Sequence, residues 1–151
     1  MTDDEKRQAA ETYMQRPNNT RAEIIILQEK RADLTALHGV SYGQPRVQGS
    51  GKADNTAKVA MKSAKIAGEI ADYQRRELQE FQEISDVIAR LSCPAERMVA
   101  ELRYLCGLKQ GEAVEKFEYT ERSYYVYKKA MLLHVYEIMQ AGGVDQVTAG
   151  Q

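Results

Sequence analysis

Apolar residues in the first two thirds of the chain recur at helical spacing and predict two long helices. In the first helix the apolar positions are Ile24, Leu27, Leu34 and Leu37. Residues 56–91 contain no proline and only Gly68 as a glycine, and as a helix they would span roughly 50 Å. One small core cannot cover a helix of that length. We therefore expect residues 20–91 to form a coiled-coil-like helical hairpin that assembles into a homodimer or higher homo-oligomer.

Local signals predict where the first helices begin and end. Residues 3–15 can form a short helix within an N-terminal segment that covers residues 1–19, and a break is expected around Pro17. Thr20 and Glu23 have the spacing of a capping box, in which the two side chains satisfy each other's backbone amides. The sequence therefore predicts that the first arm of the hairpin starts at Thr20.

Two segments have the composition of irregular structure. Residues 38–53 are rich in glycine, serine, glutamine and proline, and we expect a mobile, non-catalytic connector followed by a helix capped at Asp54 or Asn55. The Gly-Ser-Gly-Lys sequence ending at Lys52 resembles the end of a phosphate loop, but the upstream glycine and a preceding strand are missing. Residues 141–151 are expected to form a disordered tail.

Shorter helices are predicted between residues 92 and 140. Pro94 suits the first turn of a helix, and Gly107 is expected to end that helix. A short helix is expected at residues 110–117. Thr120 is positioned to cap a last helix that runs to about residue 139. The last helix has an apolar face, which would pack the module: Tyr124, Tyr127, Met131, Val135 and Ile138.

The C-terminal pattern resembles region four of bacterial sigma factors, which contains a helix-turn-helix. The resemblance rests on Arg103 with Tyr104, on Gly107, on Glu112-Ala113-Val114 and on the Thr120 cap. The middle element, Glu-Ala-Val, departs modestly from the Glu-Ile-Ala-like sequence of that region. Over residues 22–139 the order of hairpin, glycine-containing loop, long helix and terminal module is similar to phage late-operon transcription regulators of the RinA and ArpU type.

The resemblance implies an all-α, non-enzymatic protein that binds double-stranded DNA and regulates phage or prophage late genes, with RNA polymerase as a further expected contact. The second helix of a helix-turn-helix enters the major groove. The candidates near base edges are Thr120, Glu121, Arg122, Ser123, Tyr125 and Lys129. The candidates for phosphate contact are Lys109, Gln110, Lys116 and Lys128. Arg122, in the first turn of the last helix, is expected to read a guanine edge.

The charge balance leaves other functions open. The whole chain has a net charge of −1, and between residues 92 and 140 seven basic residues are matched by seven acidic ones. DNA-binding modules usually carry a basic stripe. The alternative is a non-enzymatic interaction module that binds RNA polymerase or a phage assembly component. A small packaging-terminase subunit is a third class, although there the DNA-binding head usually comes first.

Composition gives no sign of a catalytic or metal site. Cys93 and Cys106 are the only cysteines, without a second pair of ligands nearby, and are expected to be buried free thiols rather than zinc ligands. His134 is expected to be a packed or half-exposed ring. The acidic start does not resemble a signal peptide, and no apolar run reaches membrane-spanning length. We expect a cytoplasmic protein without a cofactor.

Overall fold

The computed structural model describes residues 1–38 and 50–142, and within these ranges the chain forms helices and short connections, with no strand. The predicted all-α class is confirmed for this part of the chain. Its helices are α1 (Asp3–Met14), α2 (Arg16–His38), α3 (Ser50–Arg90), α4 (Pro94–Ala100), α5 (Gln110–Lys116) and α6 (Glu121–Ala141). A π-helical segment, Glu101–Leu105, continues α4.

Two predicted helix starts are wrong. Helix α1 ends at Met14 and α2 begins directly at Arg16, so Thr20 lies inside α2 with only 6% of its surface exposed and caps nothing. Pro17 lies in the first turn of α2, where a missing backbone N–H is tolerated, and this explains why it does not break the helix. Helix α3 begins at Ser50, so Asp54 and Asn55 are interior helical residues rather than caps.

Two expectations about irregular segments fall largely outside the described residues. The predicted mobile connector at residues 38–53 coincides with residues 39–49, which the structure does not describe, although Ser50 is already helical. In the tail, the described chain ends at Gly142, and Ala141 is still part of α6. Both expectations stay predictions for the residues outside the described ranges.

The described chain divides into two compact units. One unit contains Met1–Asn18 and the described residues from Leu78 onward, and the other contains Asn19–Glu77 without residues 39–49. In the first unit, α1 and α4 both pack against α6. Its core contains fully buried side chains from every helical part: Met14, Ile84, Val99, Tyr104, Ala113, Tyr124, Met131 and Val135. The N-terminal helix is therefore part of the same core as the C-terminal helices.

Three predicted boundary residues of the C-terminal helices are confirmed, although α5 ends one residue earlier than expected and α6 continues to Ala141. Pro94 lies in the first turn of α4. Gly107 has φ 68°, a left-handed conformation that is favourable for glycine, and it follows the π-helical segment. Thr120 caps α6, because its Oγ1 accepts a hydrogen bond from the Ser123 backbone N at 3.1 Å.

The second unit contains two helical segments that run antiparallel. Arg21 Nε donates to Glu77 Oε2 at 2.8 Å, and further along α2 Arg31 Nε donates to Ser63 Oγ at 3.0 Å, so positions later in α2 meet positions earlier in α3. Three buried apolar residues form its core: Ile24, Leu27 and Ile70. The predicted seam continues less well toward the end of α2, where Leu34 is only half-buried.

The expected burial of the cysteines is wrong. Cys93 is half-buried and Cys106 is exposed, and both are free thiols. Cys106 directly follows the π-helical segment and precedes the Gly107 turn, so it lies where the chain reaches the surface. In the described ranges no cluster of histidine, cysteine and carboxylate side chains could hold a metal ion. Nor does any helix there combine the length and apolar character that a membrane crossing requires.

Candidate functional site

Phe117 organises the connection between α5 and α6. Its ring makes edge-to-face contacts with Tyr119, Tyr124 and Tyr127 at centroid distances of 5.4, 5.6 and 6.2 Å. Such offset aromatic contacts contribute stability beyond the apolar area they bury. Because Phe117 precedes the turn and Tyr124 follows it, this cluster fixes the direction in which α6 leaves α5.

The residues predicted to lie near base edges are together at the start of α6. Glu121, Arg122, Tyr125 and Lys129 are exposed, as is the cap Thr120, whereas Ser123 is half-buried. The Thr120 and Ser123 hydroxyls are 2.9 Å apart and share a hydrogen bond, so both are engaged in the cap. The Tyr125 ring packs edge-to-face on Tyr124 at 5.2 Å, which holds its orientation.

An outward stripe runs along α6 and consists of Arg122, Val126 and Lys129. These positions are four and three residues apart and therefore share one helical face. All three are exposed, and the opposite face carries the fully buried Tyr124, Met131 and Val135. Within the described part of the chain, neither Arg122 nor Lys129 forms an ion pair.

The predicted phosphate contacts divide into two groups. Lys109 and Lys116 are exposed at the two ends of α5, and the Glu112 carboxylate accepts a hydrogen bond from the Lys109 backbone N at 3.0 Å. Gln110 and Lys128 instead contact each other, since Lys128 Nζ donates to Gln110 Oε1 at 2.5 Å. The Lys128 side chain is only 16% exposed. Its geometry favours a role inside the fold, and its phosphate contact stays a prediction.

A polar network centred on Glu11 connects α1 to the C-terminal helices. The Tyr104 hydroxyl donates to Glu11 Oε2. Arg103 and Lys128 place their nitrogens 3.8 and 3.9 Å from Glu11 Oε1, and Arg103 also donates to the Leu108 carbonyl oxygen at 2.8 Å. Through these contacts, the Glu11 carboxylate connects Arg103 and Tyr104, the turn at Gly107, and α6.

Burial and charge shift the pKa of two members of this network in opposite directions. Burial, reinforced by the Glu11 carboxylate, raises the pKa of the Tyr104 hydroxyl well above its usual range. Burial lowers the pKa of the Lys128 ammonium, with the Arg103 charge acting in the same direction and Glu11 opposing it. Tyr104 is therefore a neutral donor at physiological pH, and its interaction with Glu11 supports the fold.

Sequence reasoning did not identify Glu11 or Val126. Helix α1 carries the apolar residues Ala10, Tyr13 and Met14 at spacings of three and four, which is a signal that the helix packs on something, and Glu11 lies within that pattern. Val126 carried a weaker signal. It is an apolar residue that falls outside the apolar face of α6, where it adds nothing to the core.

Glu96 is a buried carboxylate of α4 that contacts α6. Its side chain is 6% exposed, and its Oε1 is 2.6 Å from Nδ1 of His134, whose side chain is half exposed. The expectation of a packed or half-exposed histidine ring is confirmed. The pair joins α4 to α6 and satisfies the buried carboxylate, so it helps to hold the orientation of α6.

Comparison with known proteins adds no functional assignment: no family model, no curated protein and no solved structure matches the chain.

Proposed function

We propose that the protein is a sequence-specific DNA-binding transcription regulator in which α5 and α6 form a helix-turn-helix and α6 is the recognition helix. The supporting pattern is a short helix, the short connection at residues 117–120 and a longer helix that begins with a threonine cap. In such modules the first turns of the second helix face the major groove. The regulation of phage or prophage late genes follows from the sequence resemblance and belongs to the same proposal.

The observation that carries the proposal is the outward stripe of α6. Arg122 and Lys129 are cationic and exposed, and neither forms an ion pair with any residue in the described ranges, although the protein as a whole has a net charge of −1. An arginine in this position can pair with both acceptors on a guanine edge, a contact worth about 1–3 kcal/mol of discrimination. Tyr124, Met131 and Val135 on the opposite side of α6 pack in the core, so the outward stripe is held in place.

The rigidity of the surrounding unit supports the same function. Phe117, Glu11 and the Glu96–His134 pair hold α6 from the turn, from α1 and from α4. A reading helix must be held within a narrow range of positions if its side chains are to meet base edges. Lys109 and Lys116 lie on α5, where side chains can contact the DNA backbone and fix the register.

Self-association through residues 20–91 is the second part of the proposal. The second unit leaves Ile25, Ile26 and Met61 exposed, and its core contains few residues. Two-fold symmetric dimers place two recognition helices about one DNA turn apart, which multiplies specificity. A homodimer formed by this unit would supply such a pair.

The alternative function, a protein-interaction module for RNA polymerase or a phage assembly component, is favoured by one observation. Acidic side chains lie exposed on α5 and around the turn: Glu112, Glu115, Glu118 and Glu121. These carboxylates would repel DNA phosphates and would suit a basic protein partner. The binding experiment separates the two functions.

The test is selection of duplexes by the full-length protein from a randomised pool at low salt, followed by salt-titrated binding. Arg122→Ala should leave thermal stability unchanged and weaken binding of the selected duplex by roughly ten- to a hundredfold, with one base position relaxed. Lys116→Ala should weaken all duplexes similarly and flatten the salt dependence. Arg75→Ala, which removes an exposed arginine of α3, is the matched control and should change neither.

Two results would contradict the proposal. If no duplex is enriched at low salt, DNA binding is wrong and the interaction module takes its place. If a duplex is enriched but Arg122→Ala binds it like the parent, α6 does not read DNA through its first turn.

A further inference from the structure

We propose that Val126 reads the C5-methyl group of a thymine next to the base pair read by Arg122. This inference rests on the proposed function, because it assigns a specificity-determining residue to the same recognition helix. It adds a chemical class of contact, apolar readout of a methyl group, which the charged residues of α6 cannot provide.

The first argument is position. Val126 lies one helical turn after Arg122 and one turn before Lys129, in the middle of the outward stripe, and 59% of its surface is exposed. In the major groove a thymine shows an acceptor and a methyl group, and only the methyl group is apolar. Val126, which lies between the cations Arg122 and Lys129, can therefore contact a thymine methyl group while the cations contact hydrogen-bond acceptors on neighbouring bases.

The second argument is that the fold does not use Val126. Residues of α6 that build the core lie on the opposite face, and Val126 is absent from the apolar cluster of its unit. Valine is a weaker helix former than alanine or leucine, since its branched side chain loses rotamer freedom. Neither packing nor helix formation therefore accounts for a valine at this position.

The third argument is rigidity. A valine in a helix has one strongly preferred rotamer. This preference restricts the positions of the Val126 methyl groups before DNA arrives. Little side-chain entropy is lost on contact, so a small apolar contact can contribute to specificity.

The experiment uses the duplex selected by the full-length protein. Each thymine of that duplex is replaced in turn by deoxyuridine, which lacks only the C5-methyl group. At one thymine adjacent to the position relaxed by Arg122→Ala, the replacement should weaken binding of the parent about fourfold, the effect of removing one apolar carbon from a buried contact. Val126→Ala should bind the thymine and deoxyuridine duplexes equally.

Two further variants sharpen the test. Val126→Thr keeps one methyl group in the same shape and should retain part of the discrimination. Leu78→Ala removes an exposed aliphatic side chain, 68% exposed, that lies on α3, and it should discriminate thymine from deoxyuridine like the parent. Circular dichroism melts should give Val126→Ala a midpoint equal to or above that of the parent.

The outcomes distinguish this inference from the proposed function. If no duplex is selected, the proposed function fails, and the inference fails with it. If a duplex is selected and Arg122→Ala weakens it, but every deoxyuridine replacement affects the parent and Val126→Ala equally, only the methyl readout is overturned. If Val126→Ala binds all duplexes like the parent but loses binding to purified RNA polymerase, the residue contacts protein and the inference is wrong.

Discussion

The two units of the chain differ most in how completely their helices are covered. In the first unit the core includes the largest fully buried side chains of the chain, among them Tyr104, Tyr124 and Met131. In the described part of the second unit, the buried apolar residues are Ile24, Leu27 and Ile70. Buried apolar area supplies most of the free energy of folding. The comparison indicates that the first unit contains its own source of stability, whereas the second has little apolar core of its own.

The polar contacts of the two units also differ in how far they are buried. The first unit has a central carboxylate, Glu11, with the buried Tyr104 hydroxyl as a donor and two cations beside it. In the second unit, Arg21 pairs with Glu77 and Arg75 pairs with Asp72, and both arginines are exposed; exposed ion pairs contribute about 0–1 kcal/mol. The defined orientation of α6 is suited to the proposed reading of DNA. The sparsely covered second unit is suited to the proposed pairing with another copy.

Core truncation should give the largest difference between the units. Met131→Ala removes a fully buried side chain and should lower the free energy of unfolding by about 2–5 kcal/mol. Ile70→Ala should lower it by about 1–2 kcal/mol, because the sparse surroundings can close in. Urea unfolding followed by circular dichroism measures both. Equal losses at the two positions would show that the second unit is as tightly packed as the first.

Loss of the central carboxylate should give the next largest effect. Glu11→Ala leaves the Tyr104 hydroxyl, which is fully buried, without an acceptor and Lys128 without its carboxylate. We expect a loss of about 2–3 kcal/mol, since an unsatisfied buried donor and a buried unpaired charge are both costly. Gln8→Ala, an exposed change on the same helix, should alter stability by less than ~0.5 kcal/mol. A loss for Glu11→Ala no larger than the control would contradict the network.

Alkaline pH should also lower the free energy of unfolding of the first unit. Burial raises the pKa of Tyr104, Tyr13 and Tyr124, so above about pH 10 the unfolded chain releases protons that the folded chain retains. Stability should therefore fall as pH rises, by about 1.4 kcal/mol per pH unit for Tyr104. The lowered pKa of Lys128 acts in the opposite direction just below its usual pKa of 10.5, because there the folded state binds fewer protons.

Urea unfolding between about pH 8 and pH 11 checks this expectation. Tyr104→Phe should reduce the alkaline loss, and Tyr119→Phe, which changes an exposed ring, should not. A pH dependence that is identical in parent and Tyr104→Phe would show that Tyr104 does not control it.

The sequence predicted local features of the fold better than contacts between distant segments. The helix end at Gly107 and the Thr120 cap were predicted correctly, because each depends on a few neighbouring residues. The helix start at Thr20 was wrong, because a capping-box pattern does not reveal that Pro17 can begin the helix earlier. Sequence spacing also gave no sign that Glu11 meets Tyr104, since the two are separated by 93 positions.

The candidate site shows the same limit. Arg122 and Lys129 were both predicted as candidates near base edges, and both are exposed. Lys128, one position away, was grouped with the phosphate contacts, but its half-buried ammonium contacts Gln110 and lies near Glu11. The apolar periodicity of α6 alone does not show that Lys128 and Lys129, which are adjacent in sequence, have different environments. The packing of α1 against α6 decides between them.

The smallest stability change is expected at the exposed apolar surface of the second unit. Ile25 is 49% exposed, so in a monomer Ile25→Ser should change the free energy of unfolding by less than ~0.5 kcal/mol. If this unit pairs with a second copy, the parent should be stabilised as its concentration rises, by about 1.4 kcal/mol for each tenfold increase. The variant should then lose part of that dependence. Sedimentation of the full-length chain and melts over a range of concentrations measure both quantities.

Leu78→Ala serves as the control, because it also removes an exposed aliphatic side chain but lies in the first unit. A parent that sediments as a monomer, with a melting midpoint independent of concentration, would contradict pairing through residues 20–91. The described helices of this unit would then depend on the sparse core of Ile24, Leu27 and Ile70, with Ile66 and Tyr73 packed against it.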